Sequence, residues 1–427
     1  TKPEFFWLTN FLETLISNML WMPMTAATTA YHYKTILFNS AKDTDEKNIG
    51  FVDFQGHNFG MRGMGGLDAT VYSGLGHATS FLGDDSLPTI FAARKYYDEK
   101  GFVVGSVNAT EHSVMCAGSK DDEIGTFRYL MKQFPKGVLS IVSDTWDLWK
   151  VLTVFLPILK DEILARDGKI VIRPDSGDPV DIICGTESFY SLPRKIKNGF
   201  EITVARNYYN IDKTYYDGTN YYKVYELGTT GYEQTTYKFW KIELDTPEKK
   251  GVVELLWDIF GGTINEQGYK VLDPHIGAIY GDSITPQRTK DINSRLKAKG
   301  FASTNWVAGI GSYTYQMVTR DTHGFAMKAT YVELSVWDKN VIGNGQLITE
   351  GRESFKDPIT DDGGKKSAKG FLKVIGGDLL ADGSHSPYKL VDQVTKAEEC
   401  EGALQTIFSD GEFYNETTLT NIRKKLK

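Results

Sequence analysis

From Gly101 to Ser312, short β-prone runs alternate with longer amphipathic stretches, a rhythm that restricts the chain to a parallel sheet wrapped by helices. The pattern predicts strands over 102–107, 138–142 and 169–172, with helices over 121–133 and 146–165. After an interruption it predicts a helix over 251–260, a strand over 276–280, a helix over 285–299 and a strand over 301–308. Parallel strands joined by helices cross over right-handed, and several such units about one axis make a barrel or part of one. The predicted class is α/β: an irregular parallel β/α barrel with an additional mixed α+β domain and an inserted antiparallel β subdomain.

Each predicted strand runs out into polar residues. They are Glu111 and His112; Ser143 and Asp144; Arg173, Pro174 and Asp175; Gly281 and Asp282; and Gly309, Gly311 and Ser312. Ligands of parallel sheets bind at the carboxyl ends of the strands. One Asp there serves equally well as a helix cap, and one His as a structural residue. Five such ends in succession, with Arg and His among them, point at one pocket.

Composition narrows the function. A chain of 427 residues exceeds one ordinary domain. Net charge of -7 without a long Lys/Arg block argues against nucleic acid as the main partner. Three widely spaced cysteines, Cys116, Cys184 and Cys400, with no CxxC, fit a reducing, cytoplasmic setting. No apolar run reaches the roughly 18 residues of a membrane span. Opening on Thr1 rather than Met suggests a processed or truncated piece.

Around the barrel, helices are predicted over 5–20, stopping near Pro23, and over 25–37, with a short strand over 51–54. A glycine-rich stretch over 57–70 carries Phe59, a ring face, and Arg62, a planar cation; FLGDDS over 81–86 carries two adjacent carboxylates. Residues 185–245 break the βα rhythm and hold many of the tyrosines, including Tyr232, with a turn at Asp217 and Gly218. Beyond 324 come β-like pieces over 325–337, 371–374 and 402–413. A loop over 355–370 carries Lys356, Lys365, Lys366 and Lys369, and a helix is predicted over 417–427. The predicted domains are 1–50, a helical segment packing with the C-terminal part; 51–184 and 248–323, the two parts of the barrel; 185–247, the insertion; and 324–427, the α+β domain.

Carboxylates at strand ends suit a hydroxyl-rich ligand or a hard cation such as magnesium. Arg62, Arg173 and Arg320 match phosphate, as do the free N–H groups of the loop over 309–312. With Phe59 for a flat ring, this equips the chain for glycosyl or phosphoribosyl transfer. A glycoside hydrolase using Asp144 and Asp175 as its carboxylate pair would leave the arginines and the glycine loop without a role.

The ordered segments HNFGMRG, FLGDDS, SVNATEHS, SIVSDTWDLW, IRPDSGDP, IYGDSI, GIGS with TRD, and FKDP resemble the nicotinamide phosphoribosyltransferases of the type II phosphoribosyltransferase family. The resemblance implies transfer from phosphoribosyl pyrophosphate to nicotinamide, giving nicotinamide mononucleotide and pyrophosphate in NAD salvage. Magnesium, optional ATP hydrolysis through a phosphorylated histidine, and a homodimer come with it. It further implies that His112 is the phosphorylated histidine, supported by Glu111 and by Asp144 holding its imidazole. Phe59 would stack on the pyridine, Asp85 would accept the carboxamide N–H, and Arg62 and Arg173 would engage the ring's amide side and the phosphates. Asp175 and Asp282 would hold ribose hydroxyls or magnesium, with Gly281 allowing close approach. Gly311, Ser312 and Arg320 would bind the 5′-phosphate, and Lys328 and Lys356 would line a phosphate channel. The family's N-terminal segment, with its ring-stacking Tyr, is unmatched here, and the Tyr-rich insertion is a departure. Nicotinate phosphoribosyltransferase and an inactive nucleotide-binding relative remain as alternatives.

Overall fold

The computed structural model describes residues 3–186, 189–192, 195–211, 213–217, 219–230, 234–243, 246–281, 283–338, 347–356, 367–377 and 386–426. It divides into two compact units, residues 26–318 with 423–427 and residues 1–25 with 319–422.

The larger unit is built on seven parallel strands. Their spatial order is Gly83–Asp84, Gly56–Asn58, Trp306–Ile310, Ile276–Tyr280, Ile170–Arg173, Leu139–Val142 and Asn108–Ala109. Leu139–Val142 and Ile276–Tyr280 are buried along their whole length, as strands covered on both faces must be. The sheet curls until its edges share one segment. The Gly105 N–H donates to Leu82 O at 2.9 Å and Gly105 O accepts from the Asp84 N–H at 3.0 Å, while Asn108–Ala109 pairs with Leu139–Val142 at the opposite edge. The strand predicted over 102–107 is therefore an extended run that changes partners, with a regular ladder only at Asn108–Ala109. Around the sheet, Pro286–Ala298 buries Thr289, Ile292, Asn293 and Leu296 at helical spacing.

Two local predictions fail. Leu8–Thr44 is one helix that passes through Pro23. Burial of Ala26, Ala30, Tyr33, Leu37 and Ala41 down one stripe outweighs the hydrogen bond a proline removes. The predicted strand over 51–54 is helical, in Glu46–Phe51 and Val52–Gln55, because so short an apolar run carries no decisive period.

The insertion forms a five-stranded sheet in the order Phe189–Ser191, Thr214–Tyr216, Tyr221–Thr230, Gln234–Ile242, Phe200–Ala205. It is antiparallel except for its first pair, which is parallel. Leu192, Tyr215, Tyr222, Val224, Tyr237 and Phe239 give it a core of its own, so these tyrosines fill space rather than coat a surface. Gly218 and Tyr232 lie outside the described residues.

The smaller unit contains hairpins of Tyr331–Trp337 with Leu347–Glu353, Phe371–Ile375 with Lys389–Val394, and Phe408–Ser409 with Glu412–Phe413. The β-like stretches over 325–337 and 402–413 are thus only partly strand. The C-terminal helix is Leu419–Lys425, and Lys365 and Lys366 fall outside the described residues. No helix among the described residues is long and apolar enough to cross a membrane.

Candidate active site

Helix capping decides which strand-end acids are free. Asp147 accepts the Lys150 N–H at 3.0 Å to cap one helix, and Asp178 accepts the Val180 N–H at 3.0 Å to cap the next. Each lies three residues beyond a strand-end aspartate, so Asp144 and Asp175 are released from that duty. Both turn to the site instead. Oδ2 of Asp144 accepts the N–H groups of Asp175 and Ser176 at 2.9 and 2.8 Å, fixing the loop that carries Asp175.

His112 opens the short helix His112–Ala117, with Glu111 before it. Its Nε2 meets the Asp175 carboxylate at 3.2 and 3.3 Å, and its Nδ1 lies 3.1 Å from Thr145 Oγ1. The expectation that Asp144 holds the imidazole is corrected. Asp175 is the carboxylate in hydrogen-bond contact with the imidazole, while Oδ2 of Asp144 accepts backbone donors. Ligand atoms of His112, Asp144 and Asp175 nevertheless lie within 4.8 Å of one another, and Oδ1 of Asp144 is buried with no hydrogen-bond partner among the described residues.

A positive wall stands beside this cluster. Arg173, only 5% exposed at the end of Ile170–Arg173, donates to Thr110 O and lies 3.6 Å from Glu111. The exposed Arg62 reaches the other oxygen of Glu111 at 3.3 Å. Glu111 therefore gathers two arginines, Arg62 from the short turn Met61–Gly63 and Arg173 from the end of a strand. The guanidinium of Arg173 also lies 5.9 Å from the centre of the Phe59 ring.

Phe59 is held against the barrel by glycine. A Cβ on Gly309 would come within 2.7 Å of the ring, so only the bare backbone admits it. A Cβ on Gly281 would lie 3.3 Å from the Asp175 Cβ, and one on Gly63 would collide with Ser312 Oγ at 2.1 Å. The glycine-rich loop thus packs onto Ser312, and Gly65 N–H donates to Gln316 at 2.7 Å.

Behind Phe59 lies a cavity of about 430 Å³ through the barrel. Barrel interiors are ordinarily filled by branched side chains. Here Gly83, Gly105, Ala109, Ser140 and Gly277 leave it open. Asp85 faces this cavity and takes the His57 Nε2 and the Ser106 hydroxyl, both at 2.6 Å. Burial raises the Asp85 pKa, but His57, Ser106 and Arg173 outweigh it, so the carboxyl titrates below its ordinary value. Its neighbour Asp84 faces the opposite way and is buried, with a pKa pushed up to about 6 by desolvation.

The structure therefore brings together Phe59, Arg62, Asp85, Glu111, His112, Asp144, Arg173, Asp175, Gly281, Gly311 and Ser312 at one end of the barrel. Asp282 lies outside the described residues. Arg320, Lys328 and Lys356 belong to the smaller unit, where Arg320 pairs with Asp321 at 3.1 Å. His57, Ser106 and Thr145 were missed as site residues. His57 had a signal, since two-residue alternation along Gly56–Asn58 and into Phe59 turns both aromatic rings to the same side.

The sequence matches the nicotinate phosphoribosyltransferase (NAPRTase) family over residues 54–412. A protein of Acinetobacter baylyi named nicotinamide phosphoribosyltransferase is 43% identical over 433 residues, covering 100% of this chain and 71% of its own length. Proteins of the same name from Mycoplasma pneumoniae and Xanthomonas campestris are 33% and 30% identical, covering 88% and 99% of this chain and 67% and 73% of their own. By sequence, by its curled parallel sheet and by the residues gathered at the sheet's carboxyl end, the chain belongs to the nicotinate phosphoribosyltransferase family.

Proposed function

We propose that this enzyme transfers the phosphoribosyl group of phosphoribosyl pyrophosphate to nicotinamide, a step of NAD synthesis. The observation that carries the reading is Asp85, an anionic carboxylate lining the barrel cavity beside Phe59. A carboxamide donates an N–H to such a group, whereas nicotinate would bring a second negative charge against it. The names of the relatives support the same choice of base.

In the reaction the pyridine nitrogen supplies its lone pair to C1 of the ribose as the C1–O bond breaks, and that bond's electrons leave on pyrophosphate. No proton moves. Phe59 and Asp85 orient the ring, Arg62 and Arg173 neutralise phosphate, and the glycine loop with Gly311 and Ser312 receives the 5′-phosphate. Magnesium fits the donor set, because Asp144 offers a buried oxygen with no partner among the described residues and Asp175 a second carboxylate beside it. Asp175 with Asp282 would hold it, Asp144 contributing, and when bound it supplies charge neutralisation of the departing pyrophosphate.

ATP enters through His112: a ring nitrogen accepts the terminal phosphoryl group, ADP leaves, and Asp175 supports the imidazole. The reading includes a homodimer, checked by light scattering. The deciding experiment offers both bases with phosphoribosyl pyrophosphate and magnesium. Nicotinamide mononucleotide formed in preference to the nicotinate product supports the reading; the reverse preference, or no pyrophosphate released, overturns it. His112→Ala should abolish any ATP effect on nicotinamide affinity, and an unchanged effect would refute that role.

A further inference from the structure

We infer that the Tyr-rich insertion positions the loop bearing Asp175, through an ion pair between Lys213 of the insertion and Asp178 of the barrel. The inference rests on the proposed transfer for its kinetic consequence, though not for its geometry. Lys213 Nζ lies 2.8 Å from Asp178 Oδ2, with the two side chains only 24% and 11% exposed. The other oxygen of Asp178 accepts the N–H groups of Val180 and Asp181, so one carboxylate both caps Pro179–Cys184 and takes the lysine.

The loop between Arg173 and that helix is five residues long and fastened on its other sides too. Asp144 accepts from Asp175 and Ser176, the Gly281 N–H donates to Pro174 O at 3.1 Å, and the Tyr280 hydroxyl donates to Gly177 O at 2.9 Å. Gly177 itself sits at φ +91°, where a side chain would be strained. A loop held this tightly places Asp175 against His112, and its last fastening comes from outside the barrel.

The insertion is built to hold that lysine still. Lys213 precedes strand Thr214–Tyr216, whose Tyr215 is buried in the insertion's core, and its own N–H donates to Asn210 O at 3.2 Å. Asp217, at the other end of the strand, accepts the N–H groups of Ile196, Thr219 and Asn220 and the Tyr222 hydroxyl. Lys213 thus lies on a braced strand and borders a cleft of about 870 Å³, with Gly177 and Asp178 on one wall and Lys223, Tyr225 and Glu226 on the other.

The test compares Lys213→Met, which keeps the stem and removes the charge, with Lys213→Arg, which keeps the charge. Hydrogen exchange of the backbone over 174–178 reads the tie without any assay of turnover. Faster exchange there in Lys213→Met, restored in Lys213→Arg, is expected; unchanged exchange overturns the inference. In steady-state kinetics, Lys213→Met should raise KM for phosphoribosyl pyrophosphate on the order of tenfold and leave KM for nicotinamide unaltered. Lys213→Arg should recover it. Equal losses for both substrates would mark general damage and count against the positioning role. If the unaltered protein transfers no phosphoribosyl group, the proposed function fails while the exchange result still decides whether the loop is tied.

Discussion

Asp84 should cost the fold stability at neutral pH, and replacing it with Asn should recover that stability. The carboxylate is 3% exposed, and its pKa is pushed from 3.8 to about 6 by burial, despite hydrogen bonds from the Ser86 N–H, at 2.6 Å, and Asn58, at 3.1 Å. A raised acid pKa means that the folded chain keeps a proton the unfolded chain has released. Stability is therefore unimpaired below pH 3.8, falls as pH rises toward 6, and stays lowered above it. Holding the proton over that pH interval corresponds to a loss of about 3 kcal/mol. Asparagine is isosteric: its oxygen can accept from Ser86 and Asn58, and its amide can donate to Thr89, whose hydroxyl now lies 3.3 Å from Asp84 Oδ2. Denaturant midpoints measured from pH 4 to pH 8 should show Asp84→Asn level with the parent at the acid end and more stable at pH 8 by up to about 3 kcal/mol. A variant equally or less stable at pH 8, or one whose advantage does not grow with pH, would refute the reasoning.

Other outcomes follow from the same geometry. Asp85→Ser should lower the preference for nicotinamide over nicotinate on the order of tenfold, read as the ratio of kcat/KM for the two bases, because the repelling charge is gone. Gly309→Ala should destabilise the protein by about 1–3 kcal/mol and raise KM for nicotinamide, since the new methyl meets the Tyr280 carbonyl at 2.3 Å as well as the Phe59 ring; thermal melting and kinetics check it. His77 is buried between the Tyr315 hydroxyl and Gly83 O, and burial pushes its pKa down to about 3. The unfolded chain then binds a proton the fold refuses, so between pH 6.5 and about 3 stability should fall by about 1.4 kcal/mol for each pH unit of acidification. His77→Gln should flatten that slope in acid denaturation curves.

Much of the site was legible because chemistry at a strand end leaves a local mark. Glu111 with His112, Asp144, Arg173 and Asp175 each stand at or just past the end of a strand, and the fold carries them to one end of the barrel. Pairings across the sheet were not legible. Nothing local says that Asp175 rather than Asp144 meets His112, since the two aspartates end neighbouring strands and only the assembled sheet sets their distances to the imidazole. Nor does the chain announce that Asp147 and Asp178 do the capping. Pro23 misled because a helix stop signal is local while the buried stripe from Ala26 to Ala41 is tertiary. The open interior was hidden for a related reason: Gly83, Gly105 and Gly277 look unremarkable until curvature brings them face to face.

The central claim concerns where one small molecule sits. A crystal structure of the protein with nicotinamide mononucleotide tests it most directly. The pyridine ring should stack on Phe59 with its carboxamide donating to Asp85, and the 5′-phosphate should lie at Gly311 and Ser312. Product bound elsewhere, or with its amide turned away from Asp85 and its ring off Phe59, would contradict the account.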